Sequence, residues 1–389
     1  MAWPPAGEGV APNQIPGPSG ARQVPALLRL ALLLLLLYGF LVAVGLMSSA
    51  FKILGEGSAG GLFEGVVSPF AALAVGVLGT VLVQSSSVTT STIVALCGSG
   101  QLSLSLAVPM IMGANIGTTV TNTLVSVGSV RRSGEFRRAF ACATVHDIFN
   151  YCSVLVVLPI ELATGFLEST AVWLSELFWG GSGVAYKSPV KAAIKAGTKA
   201  IQGALEDLGL EGGMLSTVML IVALGMTFLC LNLITKNMRA LLVARIEASL
   251  NGVLGRSGLL GMLVGVLITV SVQSSSITTS LLVPLCAAGI LTLPNAYPIT
   301  LGANIGTTVT ALLASMAAES SLGLTIALVH LLFNLSGTAL FYGIPPLRQI
   351  PLRGARRLAV LTTNNKMWLL LYVVVAFMLL PGLAILLFD

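Results

Sequence analysis

Two polar clusters each occur twice in this chain. Val81–Ser91 reads VLVQSSSVTTS and Val270–Ser280 reads VSVQSSSITTS. Gly113–Thr121 reads GANIGTTVT, and Gly302–Thr310 repeats it without a change. From Gln84 to Gln273 and from Asn115 to Asn304 the offset is the same 189 residues. Serine hydroxyls donate to anion oxygens and accept toward cations, and the Gln84 and Gln273 amides carry one group of each polarity. Pro109 and Pro298 precede the second cluster, and with its paired glycines they are expected to break the helix ladder. Freed carbonyls suit a desolvated cation; freed amide groups at the start of the next half-helix suit an anion. The plainer reading is packing, because small Ser, Thr and Gly residues let membrane helices approach closely. Matched pairs of costly polar clusters in two halves favour one shared site between them. Neither cluster contains Arg or Lys, and a helix N-terminus supplies only about half a charge. An anionic cargo would then need co-bound cations, which points to a cation-coupled anion carrier over a simple pore.

Asp147 is the one acidic residue deep in an expected membrane helix, and its repeat mate is Leu331. An intramembrane carboxylate is a functional hypothesis by default, here a cation site. Satisfaction by nearby hydroxyls is the alternative. His146 and His330 occupy matched positions and read first as structural hydrogen-bonders, with a proton relay as the other option. Asn150 and Asn334, one turn on, can join either network. Gly261 and Gly265 read as packing. The five cysteines lie in apolar segments with no paired spacing, so neither a disulfide framework nor a metal site is expected.

These residues must be positioned by membrane helices. Of 389 residues 56% are hydrophobic and 9% charged, and the mean hydropathy is +0.96, against about 25% charged residues in soluble domains. The expected fold is an all-α integral membrane protein built from two inverted-topology repeats, each with a re-entrant helical hairpin and a broken transmembrane helix. Residues 1–23 read as a disordered tail. Repeat one is expected over 24–160, with its hairpin at about 63–97 and its broken helix at about 104–128. Residues 161–214 form an extracellular connection, whose part 188–208 reads as an interfacial or a solvated helix. Repeat two covers 215–343, with a hairpin at about 258–290 and a broken helix at about 295–318. A cytoplasmic basic segment and a last transmembrane helix fill 344–389. Arginine-rich loops around 131–138, 236–256 and 348–366 set the orientation by the positive-inside rule. The helix count closes only if 63–97 enters and leaves on one side, so the repeats come out inverted. The net charge of +6 sits in these loops and is no sign of nucleic-acid binding.

At these motifs, together with Glu135–Phe140 leading into Thr144–Asp147, the chain resembles the type II sodium–phosphate cotransporter family over about 60–160 and 215–388. The resemblance implies a secondary-active sodium-coupled symporter that imports inorganic phosphate by alternating access in the cell membrane, with sodium as coupled substrate, no cofactor and no enzymatic activity. It makes Gln84, Ser85, Ser86, Ser87, Asn115, Gln273, Ser274, Ser275, Ser276 and Asn304 phosphate candidates. Sodium candidates are Thr118, Thr119, Asp147, Asn150, Thr307, Thr308, Thr310 and Asn334; the division of the Asn and Thr residues between the two ions stays open. Asp147 resembles the acid of the electrogenic members, which implies net inward charge per cycle. The chain departs from animal relatives at Ala303, at Arg132 and in a connection over 161–214 without cysteines. A carrier of another oxyanion, such as sulfate or a carboxylate, and an ion channel are the alternatives. A membrane enzyme finds no nucleophile–base pair or phosphate loop to support it.

Overall fold

A computed structural model describes residues 26–57, 68–180, 189–253, 257–318 and 320–388. The expected tail over 1–23 and the start of the first hairpin at 63–67 lie outside them. Among the described residues every regular element is helical. Six stretches are long and apolar enough to cross a membrane: Leu27–Gly55, Leu104–Val127, Ser133–Thr164, Gly212–Met238, Ser321–Gly343 and Met367–Phe388. Lipid cannot satisfy a bare peptide group, so a chain this apolar closes its backbone hydrogen bonds within helices. Leu34, Leu35, Leu263, Leu267, Leu386 and Leu387 are all exposed, a surface that suits acyl chains. The protein is a multi-pass helical membrane protein.

Helix α1 (Ala26–Gly57) packs along α9 (Gly212–Val253). Short helices α2 (Pro69–Val83) and α3 (Ser86–Gly98) are joined through Gln84 and Ser85; α10 (Gly258–Val272) and α11 (Ser275–Ala287) are joined through Gln273 and Ser274. At 1.5 Å per residue each arm is about 20–23 Å long, short of the roughly 30 Å hydrocarbon core. Gln84 and Gln273 take left-handed φ values of 55° and 56°. Each closes its first arm with an N–H bond, to the Thr80 and Thr269 carbonyls respectively.

Helix α2 lies on α4 (Leu104–Gly117) as α10 lies on α12 (Leu293–Ser315). Glycine makes both contacts possible. A Cβ at Gly113 would stand 2.0 Å from the Leu73 carbonyl oxygen, and one at Gly302 would stand 1.9 Å from that of Met262. The glycines expected to open the helix ladder therefore serve backbone-to-backbone approach instead. Gly265 does the same against Ile299, at 2.1 Å.

The expected helix break occurs in one copy only. α4 ends at Gly117 and α5 (Val120–Val127) starts after Thr118 and Thr119, where the Thr119 and Asn122 amides bond three residues back. α12 runs unbroken through its identical cluster, so the break expected at about 295–318 is absent. Neither Pro109 nor Pro298 ends its helix. The cause lies just past the repeated words, where Asn122 and Thr123 in copy one become Ala311 and Leu312 in copy two. Asn122 accepts from Thr279 and Ser280, while Thr119 and Thr123 face Asp147. The off-helix partners of Asn122 compete with a straight ladder, and at the positions that match Asn122 and Thr123 copy two has the apolar Ala311 and Leu312. The polar cluster also leaves α12 outside the six spanning stretches, although most of it is buried in protein.

Helix α6 (Ser133–Thr164) is followed by α7 (Phe166–Gly180) and α8 (Pro189–Glu206), so the 161–214 connection is largely helical. Glu161 caps α7, accepting from the Leu167 and Glu168 amides at 2.6 and 3.1 Å. Helix α13 (Ser321–Thr338) continues as a π segment to Gly343. The basic segment after it is also a helix, α14 (Pro345–Asn364), which buries Leu352, Ala355 and Ala359 and packs on α6. The chain ends in α15 (Met367–Val374), a π segment over Val375–Leu379, and α16 (Leu380–Phe388). Pro381 lacks the amide that would bond back toward Phe377, which accounts for the wide turn. The Tyr151 hydroxyl fills part of the gap by donating to the Ala376 carbonyl at 2.6 Å.

Candidate functional site

In copy one the αL turn at Gln84 is followed by a serine, Ser87, that reaches the other half of the molecule. Ser87 Oγ donates to the Gln273 carbonyl at 3.3 Å, so the two polar tips meet. Each tip is also tied to the last threonine of the repeated cluster in its own half. Thr121 donates to Gln84 Oε1 at 3.2 Å and Thr310 donates to Gln273 Oε1 at 2.8 Å. Each glutamine Nε2 bonds back to its own arm, at Val81 and Val270. The copies differ at the serines: Ser85 caps α3 through the Val88 amide, whereas the Ser274 side chain makes no cap bond to α11. Ser86, Ser87 and Ser275 are buried; Ser276 is half-buried.

Behind the tips lies a fully buried polar network built from both halves. His146 Nε2 stands 3.1 Å from Asn304 Oδ1, and His330 Nε2 stands 3.2 Å from Asn115 Oδ1. The amide of Asn304 donates to Asn150 Oδ1 at 3.0 Å and to Asn334 Oδ1 at 2.9 Å. Its carbonyl role toward His146 is thereby fixed, and because an amide oxygen only accepts, His146 Nε2 carries a proton. Asn150 donates to the Asn115 carbonyl and Asn334 to the Asn304 carbonyl, at 2.9 and 3.3 Å. Each histidine thus reaches the opposite half, and each late asparagine donates within its own. Reciprocal contacts of this kind are what a twofold relation between copies produces. The hydrogen-bonding reading of the histidines agrees with this geometry. The four asparagines spend much of their capacity on one another, which ranks the tip serines and threonines ahead of them as ligands.

Thr118 and Thr307 each donate to the carbonyl four residues back, and Thr119 and Thr308 to the carbonyl three back. Their hydroxyl oxygens retain acceptor capacity for a cation. Asp147 lies apart from the tips in sequence but is wholly buried, with the Tyr372 hydroxyl donating to its Oδ2 at 2.5 Å. Its Oδ1 has no protein partner, and neither does the buried Thr123 hydroxyl oxygen. Among the described residues no group of three His, Cys, Asp or Glu side chains converges as a transition-metal site would require.

Sequence reasoning missed Tyr372, Asn122 and Thr123. Tyr372 had a visible signal, a phenol within an otherwise apolar last span, but nothing assigned it a partner in α6. Asn122 and Thr123 follow directly after the repeated word, and their counterparts Ala311 and Leu312 share nothing polar with them.

The sequence pattern described as Na+/Pi-cotransporter matches residues 39–164 and 217–343, one segment for each half. The chain belongs to the Na+/Pi-cotransporter family. Among similar proteins, sodium-dependent phosphate transport protein 2A of Rattus norvegicus is 36% identical over 428 residues, spanning 92% of this chain and 67% of that relative. Sodium-dependent phosphate transport protein 2B of Homo sapiens is 34% identical over 443 residues, spanning 91% and 64%. No solved structure matches the chain. Membership places it among transporters rather than enzymes. The two matched segments of the Na+/Pi-cotransporter pattern each contain one Gln-Ser-Ser-Ser tip and one GANIGTTVT cluster.

Proposed function

We propose that the protein is a sodium-coupled symporter that imports inorganic phosphate across the cell membrane by alternating access. The observation that carries the proposal is the meeting of the two tips at Ser87 and Gln273, in a chain of this family. The arms of each pair are shorter than a bilayer core, so we read α2–α3 and α10–α11 as re-entrant hairpins entering from opposite faces. Arginine placement supports the second: Arg138, at the start of α6, donates to the Cys286 and Ala287 carbonyls that end α11. The reciprocal histidine–asparagine contacts support an inverted pair of repeats, with the substrate site at their interface.

In this reading phosphate sits between Gln84–Ser87 and Gln273–Ser276, held by hydroxyl and amide donors instead of by arginine. Sodium ions sit against Thr118, Thr119, Thr307, Thr308 and Thr310 and supply the missing positive charge. Asn115, Asn150, Asn304 and Asn334 hold the helices that carry these groups. A further sodium sits at Asp147 with Thr119 and Thr123, which makes the cycle electrogenic. The test is counterflow of labelled phosphate into proteoliposomes of purified protein, with and without sodium. Saturable exchange that needs sodium and is displaced by phosphate in excess of sulfate is expected. Exchange indifferent to sodium, or current that flows without sodium, would sink the proposal.

A further inference from the structure

The second arms α3 and α11 carry the same hydroxyls and use them differently. In α3, Thr90 and Ser91 turn back to the Ser87 carbonyl of their own helix, at 3.4 and 2.7 Å. Their counterparts in α11 are Thr279 and Ser280. Thr279 also reaches a carbonyl of its own helix, that of Ser275 at 2.8 Å. Yet both α11 hydroxyls stand 3.0 Å from Asn122 Oδ1 on α5. The residue of copy two that matches Asn122 is Ala311, which has no side-chain acceptor to offer α3. The latch on α11 is thus a feature of one copy.

α5 packs on α6 as well as on α11. Consecutive residues of a helix point about 100° apart, so one turn serves both neighbours. Thr119 and Thr123 face Asp147 of α6, while Asn122 faces α11. That turn is loosely held by its own backbone. The Thr119 and Thr123 amides reach their carbonyls at 3.4 Å, beyond the usual range of about 2.7–3.2 Å. Asp147 Oδ1 and the Thr123 hydroxyl are buried with no protein partner. A cation bound there draws on Thr123 and so fixes the turn that carries Asn122. Thr279 and Ser280, in turn, lie about 6 Å along α11 from Ser275 and Ser276 of the second tip.

We propose that Asn122 is a positioning residue that couples sodium at Asp147 to the phosphate tip at Ser274–Ser276. Sodium between Asp147 and Thr123 sets the first turn of α5, and Asn122 then holds α11 with its serines toward the substrate. The proposal rests on the transport reading, from which it takes both sites. The test is a binding cycle on purified protein in nanodiscs. It reads the Kd of labelled inorganic phosphate at low and at saturating sodium for wild type, Asp147→Asn, Asn122→Ala and the double variant. At saturating sodium, Asp147→Asn should weaken phosphate binding about fivefold or more in the native background. In the Asn122→Ala background it should do so by less than about twofold, the usual scatter of independent effects. Thr279→Val/Ser280→Ala removes the donors and should also abolish the Asp147 effect, which decides the matter if Asn122→Ala does not fold. Thr90→Val/Ser91→Ala, the matching pair in copy one, should keep that effect; its loss there as well overturns the proposal. A purely structural Asn122 would weaken phosphate by one factor with or without Asp147→Asn, and that result overturns it too. So does an Asp147→Asn variant with native phosphate affinity, while wild type still responds to sodium. Wild-type phosphate binding that ignores sodium refutes the transport reading itself, and the coupling with it.

Discussion

Asp147→Asn tests the link between one carboxylate and the electrical behaviour of the whole cycle. The substitution keeps size and shape. The amide it introduces would still offer an oxygen to the Tyr372 hydroxyl that donates to Oδ2 in the native site. Exchanging a charge-assisted hydrogen bond for a neutral one costs about 1 kcal/mol, and removing a wholly buried charge recovers desolvation. The fold should therefore survive. The charge proposed to balance one sodium does not. Moving one elementary charge through 100 mV is worth about 2.3 kcal/mol, which is roughly 50-fold in an equilibrium ratio at 1.4 kcal/mol per decade. The assay is phosphate accumulation in proteoliposomes at a fixed sodium gradient, with the interior clamped at zero or at about −100 mV, the interval used in that conversion. Wild type should accumulate tens of times more phosphate at the negative potential. The variant should retain sodium-dependent uptake and lose nearly all of this increment. If Asp147→Asn responds to voltage as wild type does, the carboxylate does not hold a co-transported sodium and the reasoning fails.

Three further outcomes are expected. Gly113→Ala should destabilise the protein by about 3 kcal/mol or more, since its Cβ would lie 2.0 Å from the Leu73 oxygen and two helices would have to separate. Gly225→Ala, which meets nothing within 4 Å, should be neutral or gain up to about 1 kcal/mol of helix propensity; equal unfolding midpoints for the two variants would refute the close-approach account. A double-mutant cycle on His146 and Asn304 should return a coupling of about 0.5–3 kcal/mol. The cycle on His330 and Asn115 should match it within error if the halves are truly reciprocal. Arg138→Gln removes the guanidinium from the last carbonyls of α11 and should cost about 1.5–3 kcal/mol, with proteolysis appearing first near residues 286–291.

Much of the arrangement is legible in the chain because two local signals are strong. Membrane spans announce themselves by composition, and the αL turns fall at Gln84 and Gln273, in the middle of the apolar segments split by Gln-Ser-Ser-Ser. The membrane helices, the polar tips and the matched histidines are all visible that way. The absence of a break in copy two is not legible, because Pro298 and Gly302 are identical to Pro109 and Gly113 in isolation. Whether a helix opens there depends on Asn122, Thr123 and Asp147, three residues whose counterparts are Ala311, Leu312 and Leu331. Similarly, Gly113 and Gly302 read as breakers until their neighbours are known, because a missing side chain serves a kink and a close contact equally well.

Hydrophobicity and periodicity are local properties, and they are enough to place the chain in a bilayer and to show that it is built twice over. They also pick out which hydroxyls and amides are costly enough to demand a purpose. The partner that each polar group takes is a matter of tertiary packing. Packing set Ser87 against Gln273, His146 against Asn304 and Tyr372 against Asp147, pairs separated by 186, 158 and 225 residues. A buried polar group must be satisfied by whatever packing brings within about 3 Å, and no local pattern in a chain encodes that distance.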